Sequence, residues 1–372
     1  MSRTYVFARS APSAEYDRSL AWAALLLAAL GLVMVYSASI ATAEASRYTG
    51  HNAAWYLARH GLFLAAALAA ALMVFLVPVK LWQGVAPWLF TAGVALLALV
   101  LVPGIGREVN GARRWLDIPF VSVQPSELVK LGAVLYAADY TARKHAVMKS
   151  FRKGLLPMLA VMLLVSWLLL REPDFGALVV IAFSTFGILF LGGMNGRHFM
   201  ALLGMLATGF VVLIVSSPYR MQRIFGFMDP WSDAFGNHRE QEIGASLEKL
   251  HYLPEAHTDF LLAVIAEELG FVGVALVIAL FLCIVARAFA IGRQATLHER
   301  HFAALAAQGI GAWIGFQALI NMGVNVGLLP TKGLTLPLMS YGGSGLLANF
   351  IALAILLRID WENRQLSRGL NA

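Results

Sequence analysis

Ten runs of apolar residues, each long enough to cross a bilayer, dominate this 372-residue chain. They fall near 20–42, 57–77, 82–102, 125–142, 155–171, 175–194, 198–216, 259–286, 303–326 and 341–358. About 20 helical residues span the hydrocarbon core, where every backbone polar group must find its partner inside the protein. The expectation is an all-α polytopic membrane protein with about ten transmembrane helices. It forms a single integral membrane domain with a large loop, residues 217–258, between spans 7 and 8. Composition agrees: 59% of residues are hydrophobic and 13% charged, where a soluble domain carries about a quarter charged. The first run, from Leu20 to about Ala43, is too long for a signal-peptide core and reads as an anchor that stays.

The net charge of +7 could suggest nucleic acid. In a membrane protein it reflects basic cytoplasmic loops and anionic lipid instead, so no nucleic-acid partner is expected. The single cysteine, Cys283, cannot form an internal disulfide, and no Cys/His spacing suggests a structural metal. No phosphate-binding glycine loop and no repeat of the transporter kind is present, so neither a nucleotide-driven machine nor an organic cofactor is expected. An even span count places both termini on one side. The basic loop Arg143, Lys144, Lys149, Arg152, Lys153 makes that side cytoplasmic. The outward segments still carry Arg107, Arg113, Arg114, Arg220, Arg223 and Lys332. Translocating cations opposes the insertion bias, and an anionic ligand at the outer face is the simplest reason to keep them.

Three outward clusters could carry chemistry. The first, "GREVNGARRWLDIPFVSVQPSELVKL" (106–131), holds Arg113 and Arg114 before a tryptophan, then Glu127 and Lys130 three apart on one helix face. The arginines read as phosphate ligands or as anchors beside an aromatic belt. Glu127 and Lys130 read as a structural ion pair or as substrate ligands. The second cluster is "YLPEAHTDFLLAVIAEELG" (252–270). Thr258 and Asp259 stand where a helix cap and first turn are expected, so Asp259 is either a dipole-stabilising cap or a general base at the membrane boundary. His257, whose imidazole titrates near neutrality, is the rival base, with Glu255 beside it. Glu267 and Glu268 cannot both share the face of Asp259, and at least one should find a partner inside the bundle. The third cluster, "GLLPTKGLTLPLMSYGGSG" (327–345), is broken backbone at the membrane edge. Such backbone is tolerated only against protein or a watery cavity. Lys332 is its one charge, and Ser340 is a further candidate ligand. The 217–258 loop adds Arg220 and Arg223 beside an aromatic, interfacial-looking segment.

At "NGARRWL", "QPSELVKL", "REPDFGALVV", "YLPEAHTDF" and "LPTKGLTLPLMSYGGSG" the chain resembles the SEDS family (shape, elongation, division and sporulation), and its division branch more than its elongation branch. The motifs run in family order through most of the chain. The resemblance implies a peptidoglycan glycosyltransferase that polymerises lipid II at the outer face of the bacterial cytoplasmic membrane during septal wall synthesis. It implies that Asp259, the aspartate of the HTDF motif, deprotonates the acceptor hydroxyl, and that undecaprenyl pyrophosphate leaves. Arg114 and Lys332 would steady the pyrophosphate, with Arg220 a weaker candidate and a divalent cation (Mg or Mn) sharing the task. The implied partners are a single-pass class B penicillin-binding protein (FtsI-like) and other divisome membrane proteins. A lipid II flippase and a non-catalytic scaffold that activates the penicillin-binding protein are the alternatives. One departure is visible: "NHREQEIG" (237–244) stands where the family has a longer segment, which bears on acceptor binding.

Overall fold

A computed structural model describes residues 16–109, 112–118, 121–215, 256–330 and 333–369. Ten α-helices lie among the described residues, one on each predicted run. They are α1 (Arg18–Ala45), α2 (Trp55–Leu76), α3 (Val79–Val100), α4 (Pro125–Arg143), α5 (Leu156–Arg171), α6 (Phe175–Leu191), α7 (Gly196–Val215), α8 (Leu261–Leu297), α9 (His301–Asn325) and α10 (Gly343–Ser367). Seven helical segments are long and apolar enough to cross a membrane by length and composition alone, and α6 is a shorter apolar helix. The chain is a multi-pass membrane protein.

Burial separates the inner helices from the outer ones. In α4, 15 of 19 residues are buried, whereas α2 buries only His60 and Ala67. Helix α4 packs against α3, α6, α9 and α10, α9 packs along α8, and α10 along α2. The position of α4 explains its composition. A helix surrounded by protein can carry Glu127, Lys130 and Asp139, which would be costly against lipid.

Two polar ends follow. At one end, Glu362 of α10 receives Arg300 and Arg358 and accepts the N–H of Val79, which opens α3. Nearby, Arg287 of α8 meets Asp17, the N-cap residue of α1, at 2.5 Å. At the other end lie the connections that carry the sequence motifs.

That motif-bearing end departs from a purely helical expectation. Three short strands, β1 (Gly106–Val109), β2 (Ala112–Ile118) and β3 (Val121–Val123), form a small antiparallel sheet in the order β1-β2-β3. Residues 333–340, after α9, fold back into the helix bundle as a re-entrant segment. Leu334, Leu336, Leu338, Met339 and Ser340 are all buried. Its backbone groups are satisfied from within: Gln317 donates to the Thr335 carbonyl, Asn321 to the Leu334 carbonyl, and the Leu336 N–H donates to the Ser340 hydroxyl. Non-helical backbone at membrane depth is stable on these terms.

Helix α8 is two helices joined at Gly270, whose φ of 61° and ψ of −159° are non-helical. Glycine tolerates that conformation because it lacks a Cβ. Just before the kink, Glu268 accepts the Ser37 hydroxyl of α1, while Glu267 is exposed. One of the two acids thus finds a partner inside the bundle, as their spacing required.

Candidate active site

Asp259 occupies a turn at the motif-bearing end, partly exposed. The sequence places it in the cap and first turn of the following helix, and the structure corrects this. Helix α8 begins at Leu261 and its N-cap residue is Phe260, which offers no side-chain cap. The cap comes from another helix: Asn325 Oδ1 of α9 accepts the Ala263 N–H at 3.1 Å. A bonded amide carbonyl does for this helix start what a local Ser or Asp usually does.

The turn is also held from behind. The Asp259 carbonyl accepts the side-chain amides of Asn321 (2.8 Å) and Asn325 (3.0 Å). Asn321 donates as well to the Leu334 carbonyl at 2.6 Å. Gly333 lies beside the Asp259 carboxylate. A Cβ built there would stand 3.0 Å from Asp259 Oδ2, closer than an unstrained contact. Any side chain at 333 would crowd the carboxylate.

His257 is buried against the rings of Tyr56 (4.6 Å between centroids) and Tyr341 (5.5 Å), and its carbonyl accepts the Tyr341 N–H. It joins α2, the Asp259 turn and the re-entrant segment. Ser340 is buried, with its hydroxyl turned to the Leu336 N–H. Glu255, Arg220 and Lys332, together with the shortened 237–244 segment, lie outside the described residues.

Glu127 and Lys130 form a buried ion pair at 2.8 Å. Lys130 Nζ also donates to Gln317 Oε1 at 2.7 Å, and the Trp313 indole donates to the same oxygen. Gln317 in turn holds the Thr335 carbonyl, so the pair is tied to the re-entrant segment. Glu127 Oε2 is buried beside Gly345 with no hydrogen-bond partner among the described residues.

The two arginines do not converge. Both lie on β2 where its register against β1 slips: Arg107 faces Trp115 and Glu108 faces Arg113, which leaves Arg114 as the extra residue of a bulge. Arg113 pairs across the ladder with Glu108 at 3.1 Å. Arg114 spans to the α5–α6 turn, donating from Nε to the Glu172 carbonyl (2.9 Å) and from its guanidinium fork to the Pro173 carbonyl (2.7 Å). The two guanidiniums thus have different partners, Glu108 for Arg113 and the α5–α6 turn for Arg114.

The α5–α6 turn carries groups that the motif search left unassigned. Asp174 caps α6 through the Ala177 N–H, and its other oxygen accepts from Ser126 (2.8 Å) and Gln124 (3.2 Å). The Gln124 N–H donates to the Ser344 hydroxyl. The QPSE, REPDFG and GGSG motifs are thus locked together. Glu172 is fully buried, and neither carboxyl oxygen has a hydrogen-bond partner among the described residues. Burial, reinforced by Asp174 and opposed by Arg114, pushes its carboxyl up to about 8.

No group of three or more His, Cys, Asp or Glu side chains suited to a metal ion occurs among the described residues. The donor set there does not make a protein-built cation cage, and Asp174 is already engaged by hydroxyl and amide donors.

Sequence reasoning missed Gln317, Asn321 and Asn325. Their signal was present: they recur every four residues along one face of a membrane-length helix, where polar side chains turn inward to partners.

Comparison with known proteins places this geometry. The family profile FTSW_RODA_SPOVE, described as cell cycle protein, matches residues 17–365. A probable peptidoglycan glycosyltransferase FtsW from Aromatoleum aromaticum is 59% identical, covering 96% of this chain and 91% of that relative. A relative of the same name from Burkholderia thailandensis is 51% identical, over 95% of this chain and 80% of its own length. A chain from a solved peptidoglycan synthase complex that coordinates polymerization and crosslinking superposes with a TM-score of 0.76. It is 32% identical, over 94% of this chain and 99% of its own. The crystal structure of the Thermus thermophilus rod shape determining protein RodA gives 0.67 at 31% identity, over 94% and 97%. The chain belongs to the FtsW/RodA/SpoVE family of cell cycle proteins, the SEDS family.

Proposed function

We propose that this protein is a peptidoglycan glycosyltransferase that polymerises lipid II, with Asp259 as general base. The observation that carries the reading is the Asp259 turn: a partly exposed carboxylate on backbone fixed by two buried asparagines, beside a re-entrant segment. A base held in one geometry converts binding into oriented attack. Asp259 takes the proton of the acceptor sugar hydroxyl. The hydroxyl oxygen bonds to the anomeric carbon of the donor, the bond from that carbon to the pyrophosphate breaks, and undecaprenyl pyrophosphate carries away the electron pair. Lys332, one residue before Gly333, is assigned to the pyrophosphate. Arg114 acts indirectly, by bracing the α5–α6 turn. A Mg or Mn ion bound mainly through pyrophosphate and water oxygens is compatible with this reading, and no step depends on it.

The site end faces outward and the opposite end the cytoplasm of a bacterial inner membrane. The basic residues from Arg143 to Lys153 follow α4 at its far end from the site. The partner is a single-pass class B penicillin-binding protein with other divisome proteins, in keeping with the synthase complex in which a relative was solved.

The flippase alternative needs polar groups at successive depths. On α4 the polar groups sit at Glu127 and Lys130 near one end and Asp139 and Arg143 at the other. Residues 131–138 between them are apolar apart from Tyr136, a gap of about 13 Å at the helical rise. That favours the transferase. Glycan polymer formed from purified lipid II by this protein with its partner supports the proposal. Lipid II movement across vesicles with no polymer under any partner condition refutes it.

A further inference from the structure

Asn321 has one amide group, and both of its N–H bonds are spent on loops that are distant in sequence. One reaches the Asp259 carbonyl and the other the Leu334 carbonyl, at 2.8 and 2.6 Å. Asn321 is 2% exposed and Leu334 is buried, so this joint lies inside the protein. Asn325, one turn on, bonds only the first of those loops directly among the described residues. It bonds the Asp259 carbonyl and the Ala263 N–H, and its amide supports the Asn321 carbonyl and side chain. The two asparagines thus have different duties. Asn325 shapes the start of α8, whereas Asn321 joins the Asp259 turn to the re-entrant segment. Gly333, the neighbour of Leu334, faces the Asp259 carboxylate at the spacing this joint sets.

We propose that Asn321 is a positioning residue of the transferase, one that locks the Asp259 turn and the Gly333–Leu334 stretch into a single unit so that the base and the re-entrant segment keep a fixed separation. This rests on the reading of Asp259 as the general base. A packing role alone predicts a general loss of stability. The joint predicts coupled loosening of two named segments and a loss of turnover without a loss of substrate binding.

The test uses the full-length protein in nanodiscs with Asn321→Leu (no donor), Asn321→Ser (one donor) and Asn325→Ser. Amide hydrogen exchange is followed over 256–264 and 333–340. In Asn321→Leu both segments should exchange about tenfold faster or more, together. In Asn325→Ser the rise should be larger over 256–264 than over 333–340. For lipid II polymerisation, kcat should fall about 100-fold in Asn321→Leu with KM within about threefold of wild type, and Asn321→Ser should lie between. Exchange rising in one segment alone, or kcat unchanged, or a loss carried by KM, overturns the proposal. If Asn321→Leu does not fold, Asn321→Ser decides by the same criteria. If wild-type protein makes no glycan, the transferase reading fails, while the exchange pattern still decides whether Asn321 joins the two segments.

Discussion

Replacing Lys130 by methionine keeps an unbranched side chain one atom shorter and removes the charge. In the structure the Lys130 ammonium lies 2.8 Å from Glu127 Oε1 and 2.7 Å from Gln317 Oε1, and the two charged side chains are only 2% and 9% exposed. Gln317 keeps its Trp313 donor after the change, so the loss falls on Glu127. Its Oε2 already lacks a partner among the described residues, and Oε1 would lose the one it has. Removing one member of a buried ion pair costs about 3–5 kcal/mol, mostly for the charge left behind. In the double variant Glu127→Gln/Lys130→Met no unpaired charge remains, and the cost should fall to about 1–2 kcal/mol. The assay is unfolding in detergent, followed by tryptophan fluorescence, for both single variants and the double. A coupling of about 2 kcal/mol or more is expected. A cost below about 1 kcal/mol for Lys130→Met, or additive effects, would mean that the pair is solvated and would refute the reasoning.

Three further outcomes follow from the same geometry. Gly333→Ala places a methyl about 3.0 Å from Asp259 Oδ2; polymerisation should fall about tenfold or more with the unfolding midpoint nearly unchanged, as steady-state rates and thermal denaturation would show. Glu172 has a folded value of about 8 against an ordinary 4.5, so its contribution to stability is complete below the ordinary value and is lost as pH rises through about 8; the wild-type unfolding midpoint should drop across that window, and Glu172→Gln should flatten the drop, worth up to several kcal/mol. Arg114→Lys cannot bridge the Glu172 and Pro173 carbonyls together; it should destabilise the protein by about 1–2 kcal/mol in a denaturant titration.

The helices were legible because hydrocarbon length and hydropathy leave a chain few alternatives, and the Glu127–Lys130 pair because its spacing is local. Asp259 stood out in the sequence through the resemblance of its HTDF stretch to the family motif, although its place relative to the helix start was not legible. Capping by Asn325 depends on a residue 62 positions away, which no local rule reaches. The sheet was missed because its strands are 4, 7 and 3 residues long, too short for a clear alternating pattern. The separate partners of Arg113 and Arg114, Glu108 across the sheet and the α5–α6 turn, were hidden for the same reason.

The claim at the centre is that the Asp259 carboxylate takes the acceptor proton. The direct measurement is lipid II polymerisation by the protein with its partner, wild type against Asp259→Asn, with lipid II binding and thermal stability measured on the same preparations. Glycan from wild type, none from Asp259→Asn, and unchanged binding and stability are the predicted result. Equal polymerisation by both would contradict it, and would leave Asp259 as a structural residue of the turn.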